Sequence, residues 1–204
     1  MYSKLTQYIS RLVNNFNSIP QRRKEVLQQI AQAIQSQRYT HQESQLIFIC
    51  THNSRRSHFG QIWAAVAAYY YGIENLKTFS GGTEATAFNP RAVATLEKTG
   101  LKIINPGGKN PEYEVRFADK AEAMHCFSKT YDHPTNPQKN FIALMTCDEA
   151  DQNCPVVLGT EYRFAIPYRD PKEADGTDEE TRRYEERCQQ IAIEMFYLIS
   201  LLRK

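Results

Sequence analysis

The chain has 204 residues, 41% of them hydrophobic, enough for one good core and a length that suits a domain of roughly 150 residues plus an extension. Its 25 basic and 23 acidic side chains leave a net charge of +2, which offers no global field for nucleic acid or an anionic membrane. The opening MYSKLTQYISRLVNNF has neither a long apolar run nor a small-residue cleavage site, so export and membrane insertion are not expected and a cytoplasmic location is. Five scattered cysteines, an odd number, do not resemble the framework of a small secreted scaffold, and in a reducing compartment each needs a chemical or a packing explanation.

Leu5, Ile9, Leu12, Val13 and Phe16 recur at the spacing of an amphipathic helix. After a break at 17–20, a second helix is predicted from about Pro20 to Gln37, with Val26, Leu27, Ile30, Ala33 and Ile34 on one face. This pair is expected to form a helical hairpin over residues 1–44, a structural appendage to a main domain at 45–204. Leu46-Ile47-Phe48-Ile49 is a short continuous apolar run, typical of a buried parallel strand, and it ends at Cys50. A helix follows from Ser57 to Tyr71 and stops at Gly72; a second strand, Lys77 to Ser80, leads into Gly81-Gly82-Thr83. Asn89-Pro90 opens a helix that ends at Gly100, a third strand spans Phe141 to Thr146, and a shorter one lies near 162–166. The last helix runs from about Glu179 to Leu202. Strands alternating with helices predict an α/β fold, a four-stranded parallel sheet with helices on both faces. The runs 112–117 and 123–128 flank the polar turn Asp119-Lys120 and predict an inserted β-hairpin, at the sheet edge or as a flap.

In such folds ligands bind at the carboxyl ends of the strands, where Cys50, Gly81-Gly82-Thr83, Cys147 and Asp170 are all expected. In Cys50-Thr51-His52-Asn53-Ser54-Arg55-Arg56-Ser57, five residues separate a cysteine from an arginine on a loop between strand and helix. Backbone N–H groups of 51–56 can wrap an anion at the helix N-terminus, and the same field favours a thiolate at Cys50. Arg56 can meet two oxygens of a phosphate-like group with its planar fork, Ser57 can donate to the Cys50 sulfur, and Asn53 can brace the loop. His52, Arg55 and His58 make its rim basic and read as solvated surface.

On these residues, with Ser80-Gly81-Gly82-Thr83-Glu84, Asn89-Pro90 and Asp170-Pro171, the chain from about 45 to 204 resembles the low-molecular-weight protein tyrosine phosphatase superfamily. Within it, Thr146-Cys147-Asp148-Glu149-Ala150-Asp151-Gln152-Asn153-Cys154-Pro155 is similar to the redox segment of thioredoxin-coupled arsenate reductases. The resemblance implies Asp170 as general acid, Cys50 as the nucleophile on an arsenate or phosphate oxyanion, and Cys147 and Cys154 as a relay to thioredoxin. It implies no cofactor. The alternatives are a phosphatase working through a phosphocysteine and an oxyanion-binding or redox-sensing regulator; arsenate and phosphate share shape and charge, so the loop alone does not choose.

Seven residues of helix span about 10.5 Å, whereas disulfide-bonded Cα atoms lie within roughly 7 Å. A helix through 147–154 must therefore unwind when those two cysteines join. Cys126 and Cys188 read as small apolar core residues. A zinc set of His125, Cys126, Cys147 and Cys154 is disfavoured by the six-residue gap between the last two, so no metal is expected.

Overall fold

A computed structural model describes residues 1–153 and 156–203 of the chain. In chain order these form α1 (Ser3–Val13), α2 (Gln21–His41), β1 (Ser44–Cys50), α3 (Arg56–Tyr71), β2 (Leu76–Gly82), α4 (Pro90–Thr99), β3 (Lys102–Ile104), β4 (Tyr113–Arg116), β5 (Met124–Cys126), β6 (Phe141–Met145), α5 (Asp148–Asn153), β7 (Thr160–Ala165) and α6 (Glu180–Ser200). Among the described residues, no helix is long and apolar enough to cross a membrane.

The four parallel strands are ordered β2-β1-β6-β7. Apolar residues fill both faces of β1 because both are covered. Leu46 and Phe48 join the large core shared by α1, α2, α3, α4 and α6, while Ile47 and Ile49 join a smaller one with Phe141, Ala143, Met145, Cys147 and Ala150. The coverage is uneven, since α5, six residues long, is the helix on that second side. The fold is thus the expected parallel α/β sheet with helices on both faces.

The sequence punctuation explains the helix ends. Asn89 caps α4 by accepting from the Arg91 N–H at 2.9 Å, with Pro90 in the first turn, and Gly100 closes it at φ +106°. Gly60 lets α3 lie against the sheet, because a Cβ there would stand 2.3 Å from a ring carbon of Phe48. That close approach brings the N-terminus of α3 to the end of β1.

Both N-terminal helices form, and each lays its apolar stripe on α6, α1 through Leu5, Ile9 and Leu12 and α2 through Leu27, Ile30 and Ile34. Helix α2 outruns its expected end at Gln37, because the buried Gln37 amide binds Ser44 and Glu161, a polar anchor with no apolar period to announce it. The hairpin expected at 112–128 is present as β4 and β5, and β3 adds a third antiparallel strand. The segment after β5 then returns to the main sheet: Gly82 N–H donates to Lys129 O at 2.8 Å and Tyr131 N–H to Gly82 O at 2.9 Å. The insertion is therefore a brace at the sheet edge.

Candidate active site

Cys50 ends β1 and Arg56 begins α3, so the loop between them lies at the carboxyl edge of the sheet with the helix N-terminus at its back. Both side chains are buried, Cys50 at 3% exposure and Arg56 at 8%. Asn53 sits in the left-handed region at φ +43°, which asparagine tolerates better than most residues, and it turns the loop inward.

A hydrogen-bond relay ends on the sulfur. Lys129 N–H donates to Asn53 Oδ1 at 2.9 Å, which fixes the amide so that its Nδ2 donates to Ser57 Oγ at 2.8 Å. With its oxygen accepting there, the Ser57 hydroxyl is free to donate to Cys50 Sγ, 3.1 Å away. The sequence announces Asn53 and Ser57 but not Lys129, which reaches the loop from 76 residues away. Gly82 completes the wall, for a Cβ there would lie 2.6 Å from Thr51 O and 2.8 Å from Asn53 N.

Arg56 holds the other side. Its Nη1 donates to Tyr168 O at 2.9 Å and its Nη2 to Asp170 Oδ2 at 2.7 Å. Asp170 also accepts from Lys172 N–H through Oδ1 at 3.0 Å, so the residue caps the turn at Pro171–Ala174 and faces the arginine at once. The Tyr168 loop is propped from outside by Arg23 of α2, whose guanidinium donates to Pro167 O at 2.7 Å, lies over the Tyr168 ring and approaches Glu194 at 3.6 Å. Nothing in the sequence marks Arg23 among its neighbours Arg22 and Lys24.

The basic rim divides. His52 is half-buried and paired with Glu84 at 2.9 Å. Arg55 and His58 are not solvated surface, contrary to expectation. Arg55 is 8% exposed, donates to Tyr184 OH at 2.9 Å and stands 3.9 Å from Asp170 Oδ1. His58 is fully buried and stacked on Phe88 at 3.9 Å; burial, and then the Lys129 charge, hold it well below its usual 6.5, so it is neutral. The apolar surroundings supplied by distant residues make the difference, and charge counting along a loop does not see them. Ser54 is tied to Ala87 O at 2.7 Å.

Cys147 follows β6 at the same edge. Its thiol is 3.4 Å from Thr51 Oγ1 and accepts from Ala150 N–H at 3.4 Å, at the start of α5. Thr51 also donates to Glu149 at 3.0 Å, and Arg163 of β7 holds Asp151 by its carbonyl at 2.7 Å and its carboxylate at 2.6 Å. A cavity of about 450 Å³ is lined by Arg56, Cys147, Glu149, Tyr168, Arg169 and Asp170. Cys154 lies outside the described residues. Cys126 and Cys188 are fully buried, and burial pushes both thiols up to about 12, as befits core packing.

No protein-family model matches the chain. It is 27% identical over 135 residues to the arsenate reductase of Halalkalibacterium halodurans, a match covering 66% of this chain and 79% of that one. An arsenate reductase solved in the phosphate-binding state superposes with a TM-score of 0.51 at 16% identity, covering 78% of this chain and 99% of that one. The low-molecular-weight protein tyrosine phosphatase from T. tengcongensis superposes at 0.52 and 17%, covering 78% and 100%. The chain thus has the fold shared by low-molecular-weight protein tyrosine phosphatases and arsenate reductases, and in sequence it is similar to curated arsenate reductases.

Proposed function

We propose that this chain reduces arsenate, with Cys50 as nucleophile and Cys147 and Cys154 as a relay to thioredoxin in a reducing cytoplasm. The observation that carries the reading is the Cys147 thiol 3.4 Å from the hydroxyl of Thr51, next in sequence to Cys50, on the same cavity as Arg56 and Asp170. A phosphatase has no need of a second thiol there.

The Cys50 thiolate attacks arsenic while loop amides and Arg56 stabilise the oxyanion, and Asp170 protonates the departing hydroxide. For this Arg56 Nη2 exchanges Asp170 for a substrate oxygen. The Cys147 thiolate next attacks Cys50 Sγ; the sulfur–arsenic bonding pair stays on arsenic, which leaves as arsenite, and two thiols become a Cys50–Cys147 disulfide. Cys154 attacks Cys147 Sγ and expels the Cys50 thiolate, and a thioredoxin dithiol reduces the Cys147–Cys154 disulfide. Residues 45–204 carry this chemistry, and 1–44 support it through Arg23.

Phosphatase activity through a phosphocysteine is the second reading, favoured by the Asp170 carboxylate beside Arg56, which serves an aryl leaving group equally well. Assays of the wild type, Cys147→Ser and Cys154→Ser on both substrates separate the two. Reduction predicts thioredoxin-dependent arsenite release that either substitution abolishes. An aryl phosphatase activity that survives both, without arsenite release by the wild type, would overturn the reductase reading.

A further inference from the structure

A second cavity, about 750 Å³, lies between α3, the outer edge of β2 and the segment that follows β5, and neither Cys50 nor Arg56 lines it. Lys129 does, at 4% exposure, with its ammonium 4.4 Å from the centre of the Phe127 ring. Among the described residues it makes no ion pair and its ammonium no hydrogen bond. Burial lowers its proton affinity, and the opposing influence of Cys126 and of Glu112, the carboxylate that shares the cavity wall and meets His125 at 3.4 Å, does not cancel that. A buried ammonium without a direct ion pair is costly, and an anion beside it offsets that cost.

The rest of the wall adds two requirements. Gln61 and Asn136 line the same cavity at 5% and 3% exposure, and each uses its amide nitrogen on a carbonyl of the β2 edge, Thr78 O at 3.3 Å and Ser80 O at 3.0 Å. Their oxygens, Gln61 Oε1 and Asn136 Oδ1, are buried with no hydrogen-bond partner, two acceptors that call for a donor. Phe79, Phe117, Phe127, Tyr69 and Met124 make the remainder apolar and largely aromatic. The volume is within the range of small-molecule sites.

We propose that this cavity binds an aromatic organic anion bearing an N–H or O–H group, its charge on Lys129, its donor toward the Gln61 and Asn136 oxygens and its rings among the phenylalanines. The site is distinct from the oxyanion loop, although Lys129 serves both, one through its side chain and the other through its backbone N–H.

Anilinonaphthalene sulfonate, an aromatic anion with one N–H, is the probe. Fluorescence titration of the full chain is expected to give one saturable site per chain that persists in saturating inorganic phosphate. Neutral phenylnaphthylamine binds about tenfold or more weakly to the wild type, and Lys129→Met weakens the sulfonate by a similar factor. Ala65→Trp, which fills the cavity from α3, abolishes binding; circular dichroism checks that both variants fold. Displacement of the sulfonate by phosphate overturns the proposal, as does equal binding of the neutral analogue or wild-type affinity in Ala65→Trp. Should Lys129→Met fail to fold, the comparison of the two probes on the wild type decides.

Discussion

From Asn53 to Arg56 every polar side chain of the loop has a partner from another part of the chain: Lys129, Ala87, Tyr184, Tyr168 and Asp170 all contribute. Across the cavity, α5 is six residues long and is held by Arg163 on Asp151, Thr51 on Glu149 and the buried methyl of Ala150. Helices this short have no stability of their own, far below the ~12–15 residues at which isolated helices become marginal. One wall is pre-organised by long-range bonds and the other borrows its order from a few contacts. That contrast suits a proposed chemistry in which oxyanion donors must already be aimed before reaction and a thiol must later be carried away.

The largest effect is expected on the rigid side. Arg56→Lys loses the bidentate fork and should lower kcat by about 10²–10³-fold, read from arsenite release or aryl phosphate hydrolysis. A tenfold smaller loss would mean that loop amides, not the guanidinium, hold the oxyanion. Asn53→Ala leaves the Lys129 N–H without its acceptor and places alanine at positive φ, so urea melts should show a loss of about 2–3 kcal/mol. Wild-type stability in this variant would remove the relay from the account of the loop.

His58 offers a test in pH. Its folded-state proton affinity is depressed, so an unfolded chain takes up a proton near 6.5 that the folded chain refuses. The stability linked to His58 is complete above that pH and falls below it by about 1.4 kcal/mol per pH unit until the buried ring itself protonates. His58→Gln should flatten that part of the profile, and an unchanged slope would assign it to other groups. The smallest global effect is expected on the other wall. Asp151→Ala removes the carboxylate part of the Arg163 hold on α5 and leaves the carbonyl part, changes overall stability by less than about 1 kcal/mol, and speeds amide exchange across 148–153 severalfold. Exchange as slow as in the wild type would erase the contrast between the two walls.

The sheet, the loop and Asp170 were legible in the sequence because their signals are local: an apolar run ending in cysteine, a fixed spacing to arginine, an aspartate before proline. What escaped is made of long separations. Lys129 meets Asn53 through a backbone N–H, a group every non-proline residue carries, so no residue type could flag it. Arg55 looks solvated until Tyr184, 129 residues away, closes over it. Strand β3, only Lys102-Ile103-Ile104, is too short for a period to show and exists because β4 lies beside it. Cys154 belongs to the similarity with reductases and lies outside the described residues.

Two successive carbonyls, Pro167 O and Tyr168 O, are gripped by guanidinium groups from two different elements, Arg23 of helix α2 and Arg56 at the start of α3. Two consecutive peptide planes are thereby clamped, so movement of the proposed acid begins only beyond them, in the short lever of Arg169 and Asp170. A lever two residues long gives the carboxylate only a small arc beside Arg56. The first helices of the chain thereby set the pivot of the proposed proton donor, which lies almost 150 residues downstream of Arg23.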